Sequence, residues 1–187
     1  MWAGSLGSLF ASDDSCATWR RLPTAFGKVI VLGILFSRGA SGPTFVATAG
    51  GLYRTDDGGK SFQGPAEGTG GHVRVTSLAA DPVDAATVWA GTGKGLFVSR
   101  DGGASWAATG PPGVGIIDVV VHPTSRSRVF AGTEAGVIVT SDGGASWTAL
   151  NESLPGGDLQ GLRLDPEGKT LYAATLGGGV LALQLRD

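Results

Sequence analysis

Read for its apolar and polar positions alone, the chain breaks into short runs of strand length. Between residues 72 and 110 these runs are "VRVTSLAAD", "TVWAGT", "GLFVSRD" and "SWAAT", separated by turns that contain Pro or Gly. Period-two alternation shows in "GLFVSRD", where Leu96 and Val98 face one way. A helical stripe at i, i+3, i+4, i+7 nowhere survives more than one turn before it meets Gly or Pro. The pattern predicts four strands, a to d, in this stretch, and it recurs along the chain.

An octapeptide sets the period. It reads "TDDGGKSF" at 55–62, "SRDGGASW" at 99–106 and "TSDGGASW" at 140–147, with a worn copy, "SDDSCATW", at 12–19. Twelve residues before the box aspartates Asp14, Asp57, Asp101 and Asp142 stand Trp2, Phe45, Trp89 and Phe130, and Tyr172 continues the series. "Ala-Gly-Thr" or a variant follows most of these aromatics, and a proline precedes three of them in "ADP", "VHP" and "LDP"; repeat two has Arg38 in that place. A period near 42 fits helical-pair solenoids or four-stranded propeller blades, and the strand pattern selects the second. We therefore expect an all-β propeller of four-stranded antiparallel blades forming one domain, with repeats at 1–27, 28–71, 72–113, 114–157 and 158–187. The first repeat opens at strand b and the last stops before any box, which predicts eighteen strands in about five blade units. Closure stays open between five blades with two incomplete, four blades plus extra strands, and an arc completed by another chain.

The octapeptide has a physical reading. Asp-Gly-Gly between two strands is a hairpin signal, because the turn needs positive φ and glycine supplies it without strain. The aspartate can accept from the turn's own N–H groups, and the Ser or Thr two residues earlier joins the network. The members are Ser12, Asp14 and Trp19; Thr55, Asp57 and Phe62; Ser99, Asp101 and Trp106; and Thr140, Asp142 and Trp147. All four aromatics are expected to be buried between blades. The copy at 12–19 has Ser15 and Cys16 for the glycines, so its turn should differ or be weaker. A repeated cation site fails, since the paired acids of 13–14 and 56–57 become "RD" and "SD" elsewhere.

The pattern S/T-x-D-x-G-x-x-W at this period resembles the Asp-box (BNR) repeat of β-propellers, over essentially the whole chain. Such repeats occur in sialidases, xyloglucan-cleaving glycosidases, sortilin-type receptors and photosystem II assembly factors. The resemblance implies a propeller and no particular activity. It weakly favours an extracytoplasmic setting if further sequence lies upstream. Sialidases add an "R-I-P" signature, three arginines and a Tyr–Glu pair. There is no "RIP" here, and Tyr53 and Tyr172 fall at repeat positions that read as core.

Composition narrows the chemistry. Glycine is 33 of 187 residues, hydrophobics are 42%, and net charge is −2, so disorder, nucleic acid and anionic membrane binding are disfavoured. The longest apolar run, "VIVLGILF" at 29–36, is too short to span a bilayer and reads as a buried strand. The N-terminus has no basic n-region and does not read as a signal peptide. Cys16, the one cysteine, excludes an intrachain disulfide and has no His partner in view. His122 occupies the turn position of the "DP" aspartate, and "GTGKGLF" at 91–97 lacks the Ser or Thr of a phosphate loop and reads as a b–c hairpin. We expect no metal and no cofactor.

What remains is a surface. Strand a entrances should face the central funnel and bring together Arg74, Ser77, Asp118 and Gln160, with His72 and Asp158 just upstream. The d–a loops "AATGPPGVG" and "NESLPGGD" are Gly/Pro-rich recognition candidates. The sequence therefore points to a non-enzymatic binding or assembly scaffold for a protein or glycan. The alternative is a glycoside hydrolase, or a fragment of one, using Asp118 and Asp158 as carboxylates about 5–10 Å apart. Unpaired terminal blades also raise homo-oligomerisation.

Overall fold

The computed structural model describes residues 1–24, 26–37, 42–150 and 158–185. Arg38 and most of the "NESLPGGD" loop lie outside the described residues. The chain is all-β, with one 3₁₀ turn at Glu67–Thr69. Its first blade holds β1 (Trp2–Ser5), β2 (Ser8–Ala11) and β3 (Arg20–Leu22), and its second β4 (Val31–Phe36), β5 (Thr44–Thr48) and β6 (Gly51–Thr55). The third holds β7 (Val75–Ala80), β8 (Val88–Thr92), β9 (Gly95–Ser99) and β10 (Ala107–Thr109). The fourth holds β11 (Ile116–Val121), β12 (Val129–Thr133), β13 (Gly136–Thr140) and β14 (Thr148–Ala149). The fifth holds β15 (Asp158–Leu164), β16 (Thr170–Leu176) and β17 (Gly179–Gln184). Each blade is an antiparallel meander, as expected of a propeller.

Seventeen strands form among the described residues, not eighteen. The missing one is strand d of repeat two, which contracts to a single bridge between Arg54 and Gln63. Pro65 is the physical reason, since it has no N–H to give the ladder. Backbone pairing resumes only at Ala66, whose N–H bonds the Leu52 carbonyl at 2.9 Å.

The hydrophobic core is divided among the blade interfaces. Phe45, Ala47 and Leu52 of blade two pack on Val75, Val88 and Ala90 of blade three. Trp89, Leu96 and Val98 of blade three pack on Ile116, Val119, Val129 and Ala131 of blade four. The glycine of "Ala-Gly-Thr" makes this approach possible. A Cβ on Gly91 would come within 2.7 Å of Ile116, and one on Gly132 within 2.2 Å of Leu159, each a strand a side chain of the next blade. The following threonine pins the b–c hairpin: the Thr92 hydroxyl donates to the Gly95 carbonyl at 2.9 Å and accepts from the Lys94 N–H at 3.1 Å. That places "GTGKGLF" on an ordinary hairpin.

The strand b aromatic reaches forward into the next blade's octapeptide turn. Phe45 meets Trp106 edge-on at 6.1 Å, Trp89 meets Trp147 likewise at 6.1 Å, and Trp2 meets Phe62 at 6.2 Å. The second glycine of the turn lies beneath the ring; a Cβ on Gly103 would stand 2.3 Å from Phe45. This geometry corrects the burial expectation. Trp106, Trp147 and Phe62 are half-buried, while Phe45, Trp89 and Phe130 are at most 1% exposed. Trp19 is 40% exposed, and no strand b aromatic among the described residues packs on its turn. Tyr172 is also 40% exposed, against the core role expected of it, and no octapeptide turn among the described residues receives its ring; Tyr53 is core as expected.

Among the described residues, no sheet contains strands of both the fifth blade and the first. On the outer face of blade five Tyr172, Ala174, Leu176, Val180 and Ala182 are all exposed.

Candidate functional site

The funnel is built from one backbone irregularity used four times. Each innermost strand slips register by one residue near its start, at Val31/Gly33, Val75/Ser77, Ile116/Asp118 and Leu159/Gly161. The extra residue of each bulge, Leu32, Thr76, Ile117 and Gln160, lines the funnel. Bulges re-aim side chains in this way beside binding sites. Strict alternation along "VTSLAA" or "IIDVVV" would have sent Thr76 and Ile117 elsewhere, and the sequence reading missed them.

Around the bulges lie Arg74, Glu134 and Asp158, completing a mouth of about 760 Å³. Glu134 comes from the "GTEAG" hairpin, whose tip rises beside strand a of the next blade; that hairpin signal was readable. A second compartment of about 640 Å³ shares Leu32, Thr76, Ile117 and Gln160 and adds Ser77, Asp118 and Arg163. Five of the six expected residues therefore converge. His72 is exposed and lines neither compartment. Gln160 is also one place out of register: Gly161, not Gln160, matches Ser77 and Asp118, because the "LDP" turn is one residue shorter.

Asp118 is a strut. Its Oδ1 accepts from the Ser77 hydroxyl of blade three and from its neighbour's N–H, Val119, at 2.9 Å. Its Oδ2 accepts from the Leu162 N–H at 2.8 Å and Arg163 Nη1 at 3.0 Å, both in blade five. One carboxylate thereby ties three blades together. With both oxygens doubly engaged, it is a poor nucleophile or general base.

His122 ties blade four to blade five at the other end of strand a. Its Nδ1 accepts from the Ser125 N–H at 3.1 Å, as Asp81 Oδ1 accepts from Val83 and Asp84. That fixes the proton on Nε2, which donates to the Gly168 carbonyl at 3.1 Å. No group of three or more His, Cys, Asp or Glu poised for a metal occurs among the described residues.

At the rim, each octapeptide aspartate collects the turn's donors. Asp101 accepts from the Ser105 hydroxyl and N–H and from the Ser99 hydroxyl, while Ser99 Oγ accepts from the Gly103 N–H. Asp57 and Asp142 repeat the set with Thr55 and Thr140. The worn copy keeps it too: Asp14 accepts from Ser12 and Thr18, and Cys16 N–H bonds Ser12 Oγ at 2.9 Å. The turn therefore does not differ in its hydrogen bonds, which leaves the second alternative, a weaker turn. Its cost falls on Ser15 and Cys16, held at φ 58° and 74°. Hydrogen bonds, led by the Ser105 hydroxyl for Asp101 and by Thr18 for Asp14, lower both carboxyls to about 2. Bonds led by Ser61 and Ser146 lower Asp57 and Asp142 further. The turns are thus held by their own side-chain and backbone hydrogen bonds.

No protein-family model and no curated protein matches the chain. Solved structures do. An ancestral GH74 enzyme aligns at TM-score 0.77 and 21% identity, over 93% of this chain and 25% of its own. The GH74 xyloglucanase of Xanthomonas campestris aligns at 0.75 and 18%, over 98% and 34%. The extracellular domain of a B. thetaiotaomicron protein, described as a one component system, aligns at 0.76 and 18%, over 100% and 26%. The chain spans a quarter to a third of these proteins, and at such identities the likeness is one of fold: a β-propeller.

Proposed function

We propose that the chain is a run of Asp-box (BNR) blades acting as a non-enzymatic binding scaffold, with its partner held at the funnel mouth. One observation carries this reading: Asp118, the carboxylate best placed for chemistry, is consumed in joining blades. The mouth offers Arg74, Glu134, Asp158 and Gln160 around an aliphatic floor of Leu32 and Ile117. Among the described residues its lining has no aromatic ring on which a sugar could stack, which favours a protein segment of mixed charge as the partner.

Selection of a displayed random peptide library on the purified chain tests the proposal. Enrichment of peptides that the Arg74→Glu/Glu134→Lys variant no longer holds supports it; identical selections on both proteins contradict it.

A glycoside hydrolase reading is favoured by a different observation, the alignment with GH74 enzymes. On that reading the chain supplies part of a polysaccharide-cleaving propeller, with Glu134 and Asp158 as carboxylates at the funnel mouth.

A further inference from the structure

One position on the inner strands links neighbouring blades across the funnel. It follows each bulge and is held by Gly33, Ser77, Asp118 and Gly161. The innermost strand pairs on one side only, so the N–H of the next residue faces the channel. Two of these N–H groups are capped by the blade before. Ser77 Oγ accepts from Val119 N–H at 3.2 Å, and Asp118 Oδ2 accepts from Leu162 N–H at 2.8 Å. The Ser77 hydroxyl also donates to Asp118 Oδ1. A side chain at this position therefore caps the next blade's N–H, and that of Ser77 also meets the next blade's side chain.

Between blades two and three the device lacks its first member. Gly33 has no side chain, and Leu78 N–H, counterpart of Val119 and Leu162, has no acceptor among the described residues. Gly33 does not adopt a positive φ, so the backbone itself has no need of glycine there. Nor is the place filled from elsewhere. A Cβ on Gly33 would meet only Ala47 of its own blade, at 3.8 Å. Gly33, Ser77 and Leu78 all line the compartment of about 640 Å³, and Leu78 is only half-buried. The gap is open to a ligand.

We propose that this gap binds a serine side chain of the partner segment, in the place of the missing strut. Its hydroxyl accepts from Leu78 N–H and donates to Ser77 Oγ. The proton of Ser77 is on Asp118, and one lone pair remains beside the one that Val119 uses. These are the two bonds that Ser77 itself makes to blade four. A carboxylate has no proton to give and would share the compartment with Asp118 and Asp165. Arg163, the cation among the described lining residues, is already bonded to Asp118. The choice of a protein as the bearer rests on the reading of the funnel mouth above; the hydroxyl and its place do not.

Heteronuclear NMR of the whole chain tests this with Ac-Asp-Ser-Lys-NH2, Ac-Asp-Ala-Lys-NH2 and methyl β-glucopyranoside as probes. The serine peptide should shift the Leu78 amide saturably, and the alanine peptide should leave it in place. Gly33→Ser supplies the hydroxyl from within the chain. It should abolish the Leu78 response and melt about 2–4 °C above Gly33→Ala, which adds a Cβ alone. If Gly33→Ser does not fold, Ser77→Ala serves instead and should weaken the serine peptide about tenfold. Shifts at Arg74 and Glu134 with Leu78 silent overturn the gap and leave the mouth reading standing. A Leu78 response to the serine peptide without those two supports the gap and removes the mouth; silence of all three amides overturns both. The proposal also falls if Leu78 answers the glucoside in place of the serine peptide, or still answers the peptide in Gly33→Ser.

Discussion

A single carboxylate shows how much this fold rests on local hydrogen bonds. Asp101 titrates at about 2 against an ordinary 3.8 because serine donors prefer its charged form. A pKa that is lower in the folded state stabilises fully above about pH 4 and loses that contribution as pH falls through about 2. Asp101→Asn should therefore melt below wild type at neutral pH, with the gap narrowing towards pH 2; a gap independent of pH contradicts this. Asp118→Ala acts differently, by freeing donors at the junction of three blades. It should cost about 1–3 kcal/mol in urea unfolding. The octapeptide network was legible because all its parts lie within eight residues. The Asp118 strut was not, because its partners lie more than forty residues away on both sides.

At the scale of the element, stability sits with strand b more than with the box. Trp89 is 1% exposed and presses on Gly144, whereas Trp106 and Trp147 keep an open side. Trp89→Ala should cost about 3–5 kcal/mol, and Trp106→Ala distinctly less, by denaturant titration. Equal losses would show that the two rings share one burial. Strand and hairpin positions were readable because turns and alternation are local signals. The inner-strand bulges were not, since the phase change they cause is hidden in strands such as "VLGILF" and "IIDVVV", which are apolar on both faces. Strand d of blade two was a readable failure: Gly64 and Pro65 stand where the ladder needed a donor.

At the scale of the whole molecule, the described residues leave one apolar face uncovered. Every strand b aromatic before Tyr172 is covered or partly covered by the blade that follows; Tyr172 lies on a face with Leu176 and Val180 exposed at 68% and 69%. Such a patch favours association. Light scattering of the purified chain should show mass rising with concentration, and Leu176→Lys/Val180→Lys should abolish the rise. Concentration-independent mass in both proteins removes the oligomer expectation. The opposite edge does not mirror this one. Cys16 carries a Cβ at the glycine position that Trp2, Phe45 and Trp89 press upon elsewhere, so a regular head-to-tail stack of copies meets a clash there.

The central claim is that the funnel binds and does not catalyse. Release of reducing ends from xyloglucan by the purified chain, alongside Asp118→Asn and Asp158→Asn, tests it most directly. The scaffold reading predicts no release above buffer from any of the three proteins. Turnover by the wild type that either substitution abolishes would contradict it and install the hydrolase in its place.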